Sequence, residues 1–327
     1  MHTADNPCLS ICIPTYNRSA FLEKTLDCIA AQQIFVETNL VEVVVSDNHS
    51  TDDTAAVALD FQARFPQKIR YIRTKEHVHS SINFANALGN AHGKLCKLHN
   101  DSFSIDPGFM EATIELVQKY ADEHRVLFFL NGNTRCLDVI TSCTTMDDFV
   151  SHVSFYMTWI GGFSLWDKDI PSYIQYFTEA NHHLAQAEIL LTLLERGRSI
   201  LVYNVKFGEG YPGVTKTVNT KFLEDVYIRE YVPLLKRHSD STLLQHEIYA
   251  REVKRLVIFY YIPYYYRLKT HFQLSFLKDF AFLKQYVSLF QYYLILFMYP
   301  LYACMHARLG NVKQHMPFIL LRKILHG

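Results

Sequence analysis

The sequence predicts an α/β protein with a mostly parallel sheet flanked by helices, extended at its C-terminus by an α-helical region. In the first half of the chain, short apolar segments alternate with segments of helical periodicity, which is typical of parallel β-α-β units. Each apolar segment leads into a polar loop, as expected where parallel strands end at one edge of a sheet. From residue 222 onward the pattern is helical, so we divide the chain into residues 1–218 and 219–327.

The individual elements follow from these patterns in chain order. Strands are expected at 9–14, 41–45, 69–72, 95–98, 126–130 and 199–207. Helices are expected from a cap at Ser19, from a cap at Ser50 or Thr51, at 82–91, and after Gly108. Residues 131–148 are polar and are expected to be irregular.

The composition is that of a globular protein. A chain of 327 residues, of which 49% are hydrophobic, is long enough to bury a full core. Of its seven cysteines only Cys8 and Cys12 have the paired spacing of a metal site, and their alternation with apolar residues indicates a strand instead. The apolar segment near the N-terminus is too short for a secretory signal, so we expect a cytoplasmic protein with reduced thiols. The net charge is zero, but residues 251–327 carry eleven Lys and Arg against two acids, a surplus of nine. An acidic body is therefore followed by a basic tail.

Three of the expected strand ends carry an acid or an amide, namely Asn17, Asp47 and Asp101. The glycine-rich patterns of dinucleotide-binding and P-loop proteins do not occur in the sequence. An acidic crevice meets phosphate through a divalent cation, and a carboxylate with water and phosphate oxygens is a usual way to hold Mg²⁺ or Mn²⁺. The pattern predicts metal-dependent nucleotide binding. The alternative is that Asp101 only closes an Asx turn.

Three segments together resemble the N-terminal half of family 2 glycosyltransferases, which have the GT-A fold. They are LSICIPTYNRSAFLEKTL from residue 9, VEVVVSDNHSTDDT from residue 41, and the stretch 93–107. The segments occur in the family's order and at its usual spacing. The resemblance implies a nucleotide-sugar-binding half at 1–107 and an acceptor half at 108–218.

The resemblance also assigns roles to residues at the strand ends. The expected nucleotide contacts are Pro14, Thr15, Tyr16, Asn17, Asp47, Arg73 and Asn100. Asp101 corresponds to the last Asp of the family's DxD motif, which binds the Mn²⁺ or Mg²⁺ that bridges the diphosphate. This chain departs from the motif, because His99 and Asn100 precede Asp101 and Ser102 follows it. His99 is either a second metal ligand or an ordinary histidine.

Both tryptophans of the chain lie in the segment 159–166, which also contains paired glycines. Glycines permit close backbone approach, and an indole ring is a flat apolar surface suited to a sugar face. By resemblance, Trp159, Gly161 and Gly162 line the donor sugar and the acceptor. The alternative is that Trp159 and Trp166 belong to the core.

The general base of the family is an Asp at the start of the next helix, where it removes the proton of the acceptor hydroxyl. This position falls on Gln186, and an amide cannot serve as a base. The titratable neighbours are His182, His183 and Glu188. We expect Glu188 or His183 to take the role.

The basic tail is rich in tyrosine and contains 23 residues, 285–307, without a charged side chain. Tyrosines are spread through this stretch, and cations flank it, which favours helices lying on an anionic lipid surface over a membrane span. A third possibility is an all-α region whose aromatic residues pack against the body or in an oligomer.

The leading hypothesis is a metal-dependent, inverting glycosyltransferase acting in cell-surface polysaccharide synthesis, such as O-antigen or capsule. The expected donor is a UDP-sugar and the expected acceptor is a glycan, free or linked to polyprenyl diphosphate. Such an enzyme would be cytoplasmic and peripheral on the inner face of the cell membrane, and nucleic acid is not an expected partner. The alternative is a catalytically weakened GT-A module that binds sugar nucleotides or glycans in a membrane-bound assembly.

Overall fold

A computed structural model describes residues 7–123, 125–132, 138–179, 183–213 and 223–261, together with residues 284, 288 and 289. The chain divides into two compact units. The first comprises Met1–Lys216 and Asp240–Leu244, and the second comprises Thr217–Ser239 and Gln245–Gly327. Both sheets and the candidate site belong to the first unit.

The strands of the described residues form a five-stranded and a three-stranded sheet. Their bounds are β1 Leu9–Thr15, β2 Val41–Asp47, β3 Ile69–Arg73, β4 Leu95–Leu98, β5 Arg125–Phe129, β6 Ile140–Cys143, β7 Ser164–Trp166 and β8 Ser199–Tyr203. The larger sheet has the order β3-β2-β1-β4-β7, in which only β7 runs antiparallel to its neighbour. In the smaller sheet, β8 lies between β5, which is parallel to it, and β6, which is antiparallel.

Helices cover the sheets and form the C-terminal part of the chain. In the first unit they are α1 Ser19–Ala30, α2 Gln33–Glu37, α3 Thr54–Arg64, α4 Ser80–Gly89, α5 Phe109–Tyr120, α6 Met146–Val153, α7 Ile170–Tyr173, α8 Gln175–Glu179 and α9 Ala185–Glu195. Among the residues described from 223 onward, a π-helical segment, Glu224–Tyr231, leads into α10 Val232–Asp240. Helix α11 His246–Leu256 continues into a second π-helical segment, Val257–Tyr261. The helical character predicted for the C-terminal part is thus confirmed for 223–261.

The core lies around the two central strands of the larger sheet. Every residue of β1 and of β2 is buried, as expected for parallel strands covered by helices on both faces. Helix α1 turns Leu22, Leu26 and Ile29 toward these strands, each with no exposed surface. The continuous apolar runs that predicted β1 and β2 therefore reflect burial on both sides.

Several local predictions were wrong. Residues 131–148, expected to be irregular, include β6 and the start of α6, because β6 is stabilised by its pairing with β8 and shows little periodicity of its own. The strand expected at 199–207 ends at Tyr203. Helix α3 begins later than expected, and its first turn is bonded by Asp52, whose carboxylate accepts the Thr54 amide at 3.1 Å.

Within the residues that the structure describes, no helix is long and apolar enough to cross a membrane. Nearly all of the uncharged stretch 285–307 lies outside the described residues. Its placement at a lipid surface, in a span or in a packed helical region stays a prediction.

Candidate active site

The register of the larger sheet aligns polar residues along one edge. Thr15, Asp47 and Arg73 are direct neighbours across β1, β2 and β3, and each is the last residue of its strand. This row lies at the carboxyl edge of the parallel strands, where open α/β sheets bind their ligands. The edge therefore brings together three residues for which the sequence predicted nucleotide contact.

Asp47 is the centre of this row and has no exposed surface. Its carboxylate accepts hydrogen bonds from the Tyr71 hydroxyl at 2.8 Å and from the Ser50 amide at 2.8 Å, and the Arg73 Nε lies 3.9 Å away. Burial, and to a lesser extent the hydrogen bond to Asp47, raises the pKa of Tyr71 to about 12. This hydroxyl therefore stays a donor at physiological pH. The carboxylate is held in one orientation by three groups.

The turn after β1 is locked to the loop after β2. Asn17 adopts a left-handed conformation with φ of 50°, which a short amide side chain tolerates. Its backbone N–H donates to Ser50 Oγ at 2.9 Å, and its side-chain oxygen accepts a hydrogen bond from the Thr51 backbone N–H at 2.8 Å. Beside it, the exposed Tyr16 ring lies 4.2 Å from the His77 ring, centroid to centroid. The turn thus presents a fixed aromatic surface on which a planar group can stack.

Asp101 lies just beyond β4 and faces the turn after β1. Its carboxylate accepts the Thr15 hydroxyl at 2.9 Å and the Arg18 guanidinium at 3.1 Å, and Arg18 also reaches Ser102 Oγ at 3.4 Å. Burial raises the pKa of Asp101, while Arg18 and Thr15 oppose that rise. The sequence interpretation missed the role of Arg18, although Arg18 is the single cation of the polar turn that begins at Thr15.

The oxygen atoms near Asp101 suit a hard divalent cation. The side-chain oxygen of Asn100, the residue before Asp101, is buried and has no hydrogen-bond partner among the described residues. His99 is an ordinary core histidine: it is 1% exposed, bonds the Phe103 carbonyl at 2.8 Å, and has its pKa lowered to about 3 by burial. Among the described residues, no group of three or more His, Cys, Asp or Glu could hold a metal. A cation here would take most of its ligands from phosphate and water.

A tight turn before β7 places Trp159 next to the Asn100 side chain. A Cβ on Gly161 would lie 2.5 Å from the Trp159 ring and 2.8 Å from Asn100 Oδ1, and a Cβ on Gly162 would lie 2.7 Å from the Phe128 ring. Both positions therefore require glycine. Trp159 is half-buried, whereas Trp166 is 1% exposed and donates its ring N–H to the Arg125 carbonyl. Trp166 belongs to the core, and Trp159 remains a candidate sugar contact.

Helix α9 begins beside the same turn. Gln186, at the expected position of the base, is 1% exposed and donates its amide to the Thr158 carbonyl at 2.8 Å, while its side-chain oxygen has no partner among the described residues. Glu188 lies partly buried in the first turn of α9. The His183 ring precedes the helix and lies 5.0 Å from that of His79, which caps α4. His182, the third titratable neighbour, lies outside the described residues.

A model of glycosyl transferase family 2 matches residues 10–131, which include β2 to β5, all of β1 except Leu9, and the polar edge. Over these residues the chain matches the family that the sequence resemblance predicted. The chain is similar to the abequosyltransferase RfbV of Salmonella typhimurium, with 29% identity over 133 residues, which are 40% of this chain and 38% of RfbV. It is also 28% identical over 110 residues to the GalNAc(5)-diNAcBac-PP-undecaprenol beta-1,3-glucosyltransferase of Campylobacter jejuni, covering 33% of this chain and 34% of that protein. The chain thus matches less than two-fifths of the length of these relatives.

Solved structures resemble this chain over more residues than the family model matches. The crystal structure of Staphylococcus aureus TarS 1-349 has a TM-score of 0.54 at 15% identity and covers 86% of this chain and 81% of its own. The same protein in complex with UDP has a TM-score of 0.51 at 16% identity, covering 77% and 72%. At identities this low, the structural similarity establishes the fold alone, and the predicted GT-A fold is confirmed.

Proposed function

We propose that this chain transfers a sugar from a nucleoside diphosphate sugar to a hydroxyl group of a glycan, free or carried on a lipid diphosphate, in the synthesis of a surface polysaccharide or glycolipid. The observation that carries the proposal is the polar edge formed by Thr15, Asp47, Arg73 and Asp101 within the residues that match family 2. A UDP-sugar is the donor that we propose first, since TarS, a neighbour in fold, was crystallised with UDP.

In this proposal each part of the edge has a separate task. Asp47, held by Tyr71 and Ser50, accepts a hydrogen bond from the nucleobase, and the Tyr16 ring packs against the nucleotide. Asp101 and the Asn100 oxygen would hold Mn²⁺ or Mg²⁺. When bound, such a cation stabilises the negative charge of the departing diphosphate.

The transfer itself is proposed to proceed with inversion in a single displacement. The acceptor oxygen bonds to the anomeric carbon as the bond from that carbon to the diphosphate oxygen breaks, and the acceptor proton passes to a base. Gln186 is excluded from that role by its chemistry, which leaves Glu188 and His183 as the proposed candidates. Trp159 would support the sugar ring.

A second candidate function is sugar-nucleotide or glycan binding without efficient transfer. The observation in its favour is Gln186, a buried amide that bonds Thr158 where the family has its base. We further propose that the basic, tyrosine-rich tail holds the protein on the inner face of the cell membrane, near a lipid-linked acceptor.

The test is a binding and turnover panel of UDP-, GDP-, dTDP- and CMP-sugars, each with and without Mn²⁺. We expect one nucleotide to bind and its sugar to be released or transferred, and we expect Asp101→Asn to abolish the response to Mn²⁺. Asp60→Asn, an exposed carboxylate of α3 paired with Arg64, is the matched control and should behave as wild type. Binding without turnover would favour the second candidate, and no binding of any nucleotide would refute both.

A further inference from the structure

A buried lysine lies in β4, the strand that precedes Asp101. Lys97, the third residue of β4, is 1% exposed and is among the largest fully buried side chains of the described residues. Burial lowers its pKa to about 7. Because burying an ammonium group is costly, a lysine at such a position needs a physical reason.

The Lys97 ammonium bonds carbonyl oxygens and aromatic faces instead of a carboxylate. It donates to the Gly161 carbonyl at 2.6 Å and to the Leu98 carbonyl at 3.2 Å. It also lies over three rings, 4.6 Å from the centroid of Phe207, 5.1 Å from Phe129 and 5.6 Å from Phe109. At these distances a cation is attracted by the negative face of an aromatic ring.

The carbonyl of Gly161 and the ring of Phe207, both contacted by Lys97, belong to residues that pack against Trp159. Gly161 lies two residues after Trp159 in the same tight turn, and its backbone packs against both the Trp159 ring and Asn100. Phe207 stacks on Trp159, with ring centroids 5.7 Å apart and an interplanar angle of 16°. One ammonium group therefore contacts the backbone of the turn and the ring on which its tryptophan rests.

We propose that Lys97 is a positioning residue for the turn formed by Trp159–Gly162, holding the Gly161 carbonyl and the Phe207 ring so that Trp159 faces the sugar beside Asn100. This inference rests on the proposed function for its effect on transfer, but the geometry of the turn can be measured without any substrate. Among the described residues, the hydrogen bonds and ring contacts of Lys97 do not include Thr15, Asp47 or Arg73. Loss of Lys97 should therefore change the sugar side of the site and leave nucleotide binding intact.

The test compares Lys97→Met, which keeps an unbranched chain of similar length, with Lys94→Met at an exposed lysine of the same segment. Acrylamide quenching of tryptophan fluorescence reports on Trp159, because Trp166 is 1% exposed. We expect quenching to rise in Lys97→Met alone, with kcat for UDP-glucose turnover lowered about tenfold to hundredfold by misplacement of the sugar. The Kd for UDP should stay close to that of wild type in a Lys97→Met chain that remains folded, and Lys94→Met should match wild type throughout.

Unchanged quenching in Lys97→Met would overturn the proposal, whatever happens to activity. A chain that fails to fold, or that loses UDP binding together with turnover, would also overturn it, since Lys97 would then support the fold in general. If the wild type neither binds UDP nor turns over UDP-glucose, the UDP-sugar proposal fails separately, and quenching still decides the role of Lys97.

Discussion

The buried ammonium of Lys97 predicts a pH dependence of stability that can be isolated by one substitution. Its pKa is lowered from 10.5 to about 7 in the folded chain. Above that folded pKa, the unfolded chain keeps the lysine proton and the folded chain has released it. Folding stability therefore rises with pH wherever the unfolded state binds more protons.

The magnitude follows from the two pKa values. Integrated from about pH 7 to about pH 9, the difference in bound protons amounts to about 2 kcal/mol of unfolding free energy gained by the wild type relative to Lys97→Met. The constant cost of losing the bond to Gly161 does not affect this slope. Cys12 and His99 are electrostatically coupled to Lys97, but burial raises the pKa of Cys12 well above its usual value and lowers that of His99 to about 3, so both groups stay neutral in the folded chain between about pH 7 and about pH 9.

The assay is urea unfolding of both proteins at several pH values across this range, with unfolding free energies taken from linear extrapolation. We expect the difference between wild type and Lys97→Met to shift steadily toward the wild type as the pH rises. Lys94→Met, an exposed lysine, should run parallel to the wild type. If Lys97→Met also runs parallel, the ammonium is not held in a low-dielectric site and the reasoning is refuted.

Three further predictions concern single contacts. Gly93→Ala should cost about 1–3 kcal/mol in urea unfolding, because the new Cβ would lie 2.6 Å from the backbone of β1. Gly210→Ala should be neutral, because its new Cβ would meet the Phe103 ring at 3.9 Å, an ordinary van der Waals contact. Tyr71→Phe should lower stability by about 2 kcal/mol and weaken nucleotide binding in calorimetry, since a buried carboxylate loses a donor. Trp159→Phe should lower kcat with little change in melting temperature. Trp166→Phe, which loses a buried hydrogen bond, should lower the melting temperature with little change in kcat. Equal effects of the two substitutions would contradict the assignment of Trp166 to the core.

Much of the fold followed from local pattern. The apolar runs of β1 and β2 predicted strands buried on both faces, and the polar residues behind them predicted a ligand edge. That inference succeeds because parallel strands joined by helices end on the same side of a sheet. Strand β6 was not predicted because it is short and is stabilised by its antiparallel pairing with β8, a contact between distant segments.

The contacts that orient the site were less accessible to sequence reasoning. Arg18 and Asp101 are 83 residues apart, and Tyr71 and Asp47 are 24 apart, so their pairing depends on strand order and register. Lys97 carries no local signal at all, since a lysine within a strand is normally expected on its exposed face.

The sequence alone determined which segments are strands and helices in the nucleotide-binding half, and which residue types stand at their ends, because periodicity and turn chemistry are local properties. Tertiary structure decided how those residues are held: which donor orients Asp47, which cation faces Asp101, and what surrounds Lys97. It also separated the two tryptophans, placing Trp166 in the core and Trp159 beside Asn100. These outcomes depend on burial and on long-range pairing, which arise only when distant segments pack together.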